Sequence, residues 1–497
     1  MNALQELPTA ALPATPAPPS RRAAGTLGTQ LAGWFGERIR RQVLVPGARL
    51  PSVRDCAHQH GVSPSTVVLA YDQLQALGLV EARRQRGFFV RDRLGRPDGQ
   101  AGSASLVTPL PAPVDATALI RGMFRAEPER SGQVAAGAVP RSVGPGPGQG
   151  TLPEAWLDAA LVRKALRHCL PQAAEALGYG LPAGDAGLRQ ALSRRLGGDL
   201  GIAAAPSQIV TTVGATHALD LIARTLLQPG DAVLVDEPGW AVEFARLTRM
   251  GMRLLPVPRG PAGPDLALMD QLLAAHRPKL YVTVSVLHNP TGHSLSLATA
   301  HRILQLAETH GLTIVEDDTY AWLAPPHVPR LAALDGLRRT VYVSGFSKIL
   351  APSWRVGYLA ASPELAERLI DSKLLCTLSS PALLERAVAW CLEQGLLRRH
   401  AERVVARLDR ARTQVVRLAE AAGCSFAAPP QGLFGWVDTG VDSDRLAASM
   451  AADGWLLAPG SLFHASPRRS TLMRLNFACA QDPRFWRAFA TARDALT

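Results

Sequence analysis

One stretch of the 497-residue chain carries residue types suited to covalent capture of a carbonyl: Ser344-Gly-Phe-Ser-Lys-Ile-Leu-Ala-Pro-Ser-Trp-Arg-Val-Gly357. It follows an apolar run, Thr340 to Val343, that reads as a buried strand ending at Ser344. A lysine just past a strand end, flanked by serines and followed seven residues on by an arginine, suits a Schiff-base site. Lys348 would hold an aldehyde cofactor covalently, while Arg355 and a serine hydroxyl, Ser344 or Ser347, would hold its phosphate. An isolated Ser-x-x-Ser-Lys is more often a solvated lysine in a polar loop. The rest of the chain decides, by supplying or not supplying the other parts of such a pocket.

The elements that must position those parts begin near Trp156, where helical patterns alternate with short apolar strands. Expected strands are 208–212, 232–235, 253–257, 280–286, 313–316, 340–343 and 357–361. Such alternation argues a mostly parallel sheet with helices on both faces, and ligands in these folds bind beyond the carboxyl ends of the strands. The candidate residues lie at those ends. Gly214, in Val213-Gly-Ala-Thr-His, lets the backbone approach an anion, and Ala215 and Thr216 offer N–H groups and a hydroxyl at a helix start. Trp240 follows Asp236-Glu-Pro-Gly239 and could lie flat on a planar ring. His288-Asn-Pro-Thr-Gly292 follows one expected strand, and Val315-Glu-Asp-Asp-Thr-Tyr320 ends another.

Taken together these segments resemble fold-type I aminotransferases, from the Ser-x-x-Ser-Lys…Arg-x-Gly motif to the Asn-Pro-x-Gly turn. The resemblance implies pyridoxal 5'-phosphate on Lys348. It implies that Asn289 and Tyr320 contact the cofactor's phenolic oxygen, and that Trp240 lies on its ring. A carboxylate at Asp317 would keep the pyridine nitrogen protonated, which lets the ring act as an electron sink. Glu316 and Asp318 are structural alternatives, and the spacing to Tyr320 favours Asp317. Gly178-Tyr-Gly180 and Gly184-x-x-x-Leu-Arg189 are similar to the segment whose tyrosine reaches the partner subunit's phosphate, so Tyr179 implies a homodimer with shared sites. Met473-Arg-Leu-Asn-Phe477 matches the strand whose arginine forks onto a substrate α-carboxylate, a geometry that suits Arg474.

Composition sets the wider class. A hydrophobic content of 47% and a charged content of 19% describe a globular chain long enough for two or more domains. No apolar run approaches 20 residues. Met1 to Ser20 has neither a basic start nor a continuous apolar core; its prolines and alanines read as an extended tail, and a cytoplasmic location is expected. The six cysteines are far apart and mostly set in apolar helical patterns, which fits reduced core thiols and gives no metal-binding spacing. Charge is uneven. Between Arg21 and Arg96 thirteen arginines and no lysine face five acidic residues, a local +8 out of the chain's +12. Such asymmetry points to nucleic acid.

That basic segment has the matching organisation. Leu31, Trp34, Phe35 and Ile39 give residues 27–43 helical spacing, and Pro46-Gly47 turns the chain into Arg49-Leu-Pro-Ser-Val-Arg54. Ser52 is a good N-cap for a helix through Gln59, closed by His60-Gly61. Ser63 caps a second helix, to Leu77, with Pro64 at its first position. Two short helices joined by a glycine-containing turn form a helix-turn-helix. The strands around Arg83, Arg84 and Arg86 read as a wing. The block resembles the winged helix of GntR-type regulators, through Pro46-Gly, Leu-Pro-Ser-Val-Arg54, Val-Ser-x-x-Thr-Val67, Tyr71, Leu-x-x-x-Gly78 and Arg86-Gly-Phe-Phe-Val90. Contacts to double-stranded operator DNA are expected from Arg49, Ser52, Arg54, Ser63, Ser65, Thr66, Arg86 and Gly87. That family usually has an arginine where this chain has Pro64.

The expected organisation is a Pro/Ala tail (1–20), a winged helix-turn-helix (21–92), a linker (93–110) and an aminotransferase-like unit (111–497). The larger unit is α/β, with a mostly parallel sheet and a smaller C-terminal α+β subdomain. Residues 139–150, rich in Gly and Pro, read as linker or loop, and the aminotransferase resemblance implies that they lie close to the cofactor pocket. A GntR-like winged helix fused to an aminotransferase-like domain resembles MocR-type bacterial regulators. The resemblance implies a DNA-binding transcription regulator that senses pyridoxal phosphate, an amine or an amino acid through the aldimine. The rival reading is a working aminotransferase with an accessory DNA-binding arm, and a third is a cofactor-free interaction domain.

Overall fold

In the computed structural model the chain divides into two compact units, residues 1–108 and 109–497. The structure describes residues 26–40, 48–76, 79–83, 87–90, 146–171, 177–325, 327–466 and 468–497. The expected tail, Pro46-Gly47, Gly78, Arg84, Arg86, the linker and residues 139–145 lie outside them.

The N-terminal unit consists of α1 (Leu27–Arg40), α2 (Val53–His60), α3 (Pro64–Ala76) and the antiparallel hairpin β1 (Val80–Arg83) and β2 (Gly87–Val90). Helix α2 starts where Ser52 accepts a hydrogen bond from Asp55 N and stops where Gly61 turns left-handed (φ 61°). Helix α3 buries Val67, Ala70, Tyr71 and Leu74, the i, i+3, i+4, i+7 stripe of a one-sided helix, against Leu31, Phe35, Leu50 and Val90. The Tyr71 hydroxyl donates to Pro51 O at 3.0 Å, which ties α3 to the strand-like segment 48–50. That segment pairs with the hairpin through Leu50 N to Phe88 O and Val90 N to Ala48 O.

The larger unit is organised by an eight-stranded sheet in the order β3-β10-β9-β8-β7-β4-β5-β6. Its strands are β3 (Ile209–Thr212), β4 (Ala232–Glu237), β5 (Arg253–Gly260), β6 (Gly263–Pro264), β7 (Leu280–Thr283), β8 (Thr313–Asp317), β9 (Thr340–Gly345) and β10 (Gly357–Ala360). The five central strands β5, β4, β7, β8 and β9 are parallel; β10 runs antiparallel to both its neighbours, as β6 does to β5. Helices cover both faces. Val233 and Val235 point to one core, with the helix Ala215–Leu226 and Leu369, whereas Ala232 and Leu234 point to another, with Met269, Leu273 and Ile303. A strand buried on both sides has no polar face, which is why these strands read as continuous apolar runs. Strand β7 stops at Thr283, three residues short of expectation. Beyond it Ser285 Oγ donates to Glu316 Oε1, Leu295 N donates to Ser285 O, and Leu287 takes φ 48°, so the chain has turned off the ladder.

A second, antiparallel sheet is built from β11 (Ser425–Phe426), β12 (Phe434–Asp438), β13 (Ala458–Pro459) and β14 (Leu472–Asn476), in the order β11-β12-β14-β13. The helices Leu396–Ala421, Ser443–Ala452 and Pro483–Asp494 pack with it. Among the described residues no helix is long and apolar enough to cross a membrane, and no group of His, Cys, Asp and Glu could hold a metal ion. Five cysteines are buried and Cys376 is exposed.

Candidate functional site

Beyond the carboxyl ends of β3, β7, β8 and β9 the structure gathers most of the expected residues. The link from β9 to β10 carries the lysine motif. Lys348 is half-buried and donates from Nζ to Gly150 O at 2.8 Å. Burial lowers its pKa from 10.5 to about 8, the guanidiniums of Arg474 and Arg355 push the same way, and Asp317 opposes them. An amine so tuned is substantially neutral near pH 8, as a nucleophile toward an aldehyde must be.

An anion cradle lies beside it. Gly214 has φ 79° and caps the helix Ala215–Leu226, whose first N–H groups, at Ala215 and Thr216, have no intrahelical acceptor. Arg355 crosses over this turn, donating from Nη2 to Val213 O (3.3 Å) and from Nη1 to Ser347 Oγ (3.1 Å). The fit is close. A Cβ on Gly214 would lie 2.4 Å from Arg355 Nη2, and one on Gly357 would lie 2.7 Å from Ala215 N. Only glycine allows both the backbone conformation and the approach. Ser344 is a correction. It is fully buried with its hydroxyl on Asp318 O at 2.8 Å, so it belongs to the sheet, and Ser347 is the serine beside the cradle.

Asp317 ends β8, almost wholly buried, and accepts from Thr319 N (3.0 Å) and from the Thr319 hydroxyl. Burial raises its pKa to about 6 despite those bonds, and Glu243 adds to the rise. Asp317, Trp240, Glu243 and His288 line one small cavity. The flanking acids are occupied elsewhere. Glu316 accepts from Ser285 and from Leu331 N and Ala332 N, whereas Asp318 pairs with Arg330 and Tyr342. Tyr320 is buried edge-on to Phe434 at 5.3 Å, and the Arg474 guanidinium lies 4.6 Å from the same ring. Arg474 is itself 5% exposed; it donates to Asn289 Oδ1 (2.8 Å) and Gly148 O (2.6 Å), and burial lowers its pKa to about 10.

Donor set and shape therefore fit an aldehyde cofactor bearing a phosphate. Lys348 would bind the aldehyde, while Ser347, Arg355 and the 214–216 turn would hold the phosphate. Asp317 would meet a ring nitrogen, and Asn289 and Tyr320 would stand near the ring's oxygen. Tyr179 is not gathered in; it stands 88% exposed on the surface.

Three contributors escaped the sequence. The carbonyls of Gly148 and Gly150 hold two of the pocket cations, Arg474 and Lys348, yet sit in a glycine-proline loop with no periodicity to place it. Glu243 is 3% exposed and clamped by Arg246, with Nε 3.0 Å from Oε2. Its position three residues after Trp240, one helical turn on, is the signal that could have found it.

In the N-terminal unit Arg49, Ser52, Arg54, Ser63 and Ser65 are exposed and Thr66 is half-buried. Ser52 bonds Asp55, and Ser63 shares its hydroxyl with Ser65 and Thr66 at 2.8 Å each while capping Thr66 N, so capping already uses these hydroxyls in part. Gly87 has φ 97°, and a Cβ there would sit 3.4 Å from Arg49 Nε, so wing and arginine share one surface.

Comparison with known proteins agrees with this division. Residues 146–488 match the family model "Aminotransferase class I and II", and residues 30–90 match "Bacterial regulatory proteins, gntR family". The HTH-type transcriptional regulator TauR of Rhodobacter capsulatus is 30% identical over 473 residues, 91% of this chain and 93% of that one. The chain belongs to the MocR-type regulators. A probable rhizopine catabolism regulatory protein, MocR of Rhizobium meliloti, is 30% identical to this MocR-type chain over 74% of its length and 73% of the relative's. The larger unit of the chain superposes on LysN, the α-aminoadipate aminotransferase of Thermus thermophilus, with a TM-score of 0.65 and 25% identity, over 70% of this chain and 92% of LysN. A multiple substrate aminotransferase from Thermococcus profundus gives 0.66 and 26%, over 72% of this chain and 93% of that one.

Proposed function

We propose that this protein is a DNA-binding transcription regulator whose aminotransferase-like unit binds pyridoxal phosphate at Lys348 and senses the cofactor, an amine or an amino acid. The observation that carries the reading is one chain, matched along nine-tenths of its length by a regulator, that keeps both an exposed helix-turn-helix and a pocket with a lysine at about 8 beside an anion cradle. When bound, the cofactor supplies an electrophilic carbon and an electron sink. The chain's own residues do the rest. Lys348 provides the amine, Arg355 and Ser347 neutralise the phosphate, Asp317 holds a proton on the ring nitrogen, and Arg474 orients a ligand carboxylate. The exposed Tyr179 serves the pocket of a second copy, so the working unit is a homodimer on double-stranded operator DNA in the cytoplasm.

The test is a titration of the loaded full-length protein with a panel of amino acids and primary amines, following its affinity for its own promoter DNA. A coupling of about 1–3 kcal/mol shifts operator affinity roughly 5- to 150-fold. Sustained transamination with operator affinity unchanged by every compound overturns the reading in favour of an enzyme.

A further inference from the structure

The outward face of α3 carries Pro64, Ser65, Val68, Leu69 and Asp72, opposite the buried stripe of Val67, Ala70, Tyr71 and Leu74. Val68 is 43% exposed and Leu69 48%, and among the described residues of the N-terminal unit they are the exposed large hydrophobics. A lone exposed aliphatic residue needs no account. Two adjacent ones on the face that a helix-turn-helix turns toward DNA call for one.

The helix sequence, PSTVVLAYDQLQA, contains no arginine, lysine or asparagine. The side chains that fork onto guanine, and one of the two that fork onto adenine, are thus missing from it. Its glutamines, Gln73 and Gln75, are half-buried in the C-terminal half, away from the end that such helices present to base edges. Charge for the phosphates comes from elsewhere in the unit, with Arg49 and Arg54 exposed and a net +8 between Arg21 and Arg96. Beside the polar Ser65, Thr66 and Asp72, what α3 offers the major groove is branched aliphatic surface at Val68 and Leu69. The apolar feature on a major-groove base edge is the thymine C5-methyl group.

We propose that Val68, with Leu69 beside it, reads thymine methyl groups in the operator half-site, which makes it a specificity-determining residue of the helix. The inference rests on the DNA-binding reading above. Val68 is the freer of the two: a Cβ on Gly28 would come 2.9 Å from Leu69 Cδ2, so Leu69 already leans over the start of α1. A methyl reader selects a base without a directed hydrogen bond. It is therefore blind to the exchange of hydrogen-bonding groups that leaves the methyl in place, and sensitive to loss of the methyl alone.

The test uses the full-length protein and duplexes selected by it from random-sequence DNA. Each thymine of the half-site is then replaced by deoxyuridine, which removes the methyl and keeps every hydrogen-bonding group. Affinity falls roughly three- to tenfold at one or two positions, the scale of one methyl-sized apolar contact. Val68→Ala, an exposed change that leaves the fold intact, lowers affinity for the thymine duplex by a similar factor. It also removes the difference between thymine and deoxyuridine at that position, with the salt dependence unchanged. Deoxyuridine substitution without effect, or a Val68→Ala variant that still discriminates, overturns the proposal while DNA binding stands. Failure to retain any duplex overturns both.

Discussion

Arg474 donates to Asn289 Oδ1 at 2.8 Å, so the residue expected to take a ligand's carboxylate holds the residue expected to stand at the cofactor's phenolic oxygen. On the proposed reading, ligand and cofactor contacts are coupled through that one hydrogen bond. Arg474→Ala is expected to abolish the response of operator affinity to carboxylated amines, from a roughly 5- to 150-fold shift to none, while basal DNA binding and the response to amines without a carboxylate persist. Fluorescence anisotropy titrations of variant and wild type decide it.

Asp317 gives a prediction with opposite signs for the free and loaded protein. Its folded pKa of about 6 lies above the ordinary 3.8, so the folded chain binds more protons than the unfolded one between those values, and its contribution to stability declines as pH rises through that window. Above pH 6 the buried charge is a net cost. Asp317→Asn should therefore melt no lower than wild type at pH 7 without cofactor. Its affinity for pyridoxal phosphate should fall roughly ten- to hundredfold, for loss of one charge-assisted hydrogen bond of about 1.5–3 kcal/mol. Melts with and without cofactor read both effects.

Gly214→Ala places a methyl 2.4 Å from Arg355 Nη2 and forces alanine to φ 79°. The variant should lose roughly 1–3 kcal/mol of stability. It should also bind pyridoxal phosphate at least tenfold more weakly, while dephosphorylated pyridoxal is affected less. A defect equal for both compounds would show that the cradle does not hold phosphate.

Lys348, at about 8, sets a pH profile. Capture of pyridoxal phosphate should accelerate from pH 6 and level off a little above pH 8, where an ordinary lysine would keep accelerating toward 10.5. The depressed value also means that the unfolded chain binds the extra proton between about 8 and 10.5, so stability of the free protein rises with pH there, less steeply in Lys348→Ala. Stopped-flow absorbance and borohydride trapping followed by peptide mass spectrometry test the first part, and melts across the window the second.

Most of the sheet was legible because strands buried on both faces must be apolar throughout, and the chemistry at their ends stands out against them. Direction was not. Strand β10 turned out antiparallel to β9, and the short link from Phe346 to Val356 held the clue, since it is too brief for a helical crossover. Ser344 and Ser347 look alike in sequence, and only the side of the strand end on which each falls separates them. The backbone carbonyls of Gly148 and Gly150 carry no side-chain signature, so nothing in the sequence could assign them to Lys348 and Arg474.

Those carbonyls have a consequence for discrimination. Arg474 rests on the oxygens of Gly148 and Asn289, and Lys348 on that of Gly150, all of them neutral. An incoming carboxylate breaks no ion pair at Arg474. It exchanges neutral acceptors for a charged one and gains the difference between an ordinary hydrogen bond, about 1 kcal/mol, and a charge-assisted one. An amide or ester of the same ligand would exchange like for like and gain almost nothing. On the proposed reading, selection of free acids over their neutral derivatives is expected from what Lys348 and Arg474 touch while they wait.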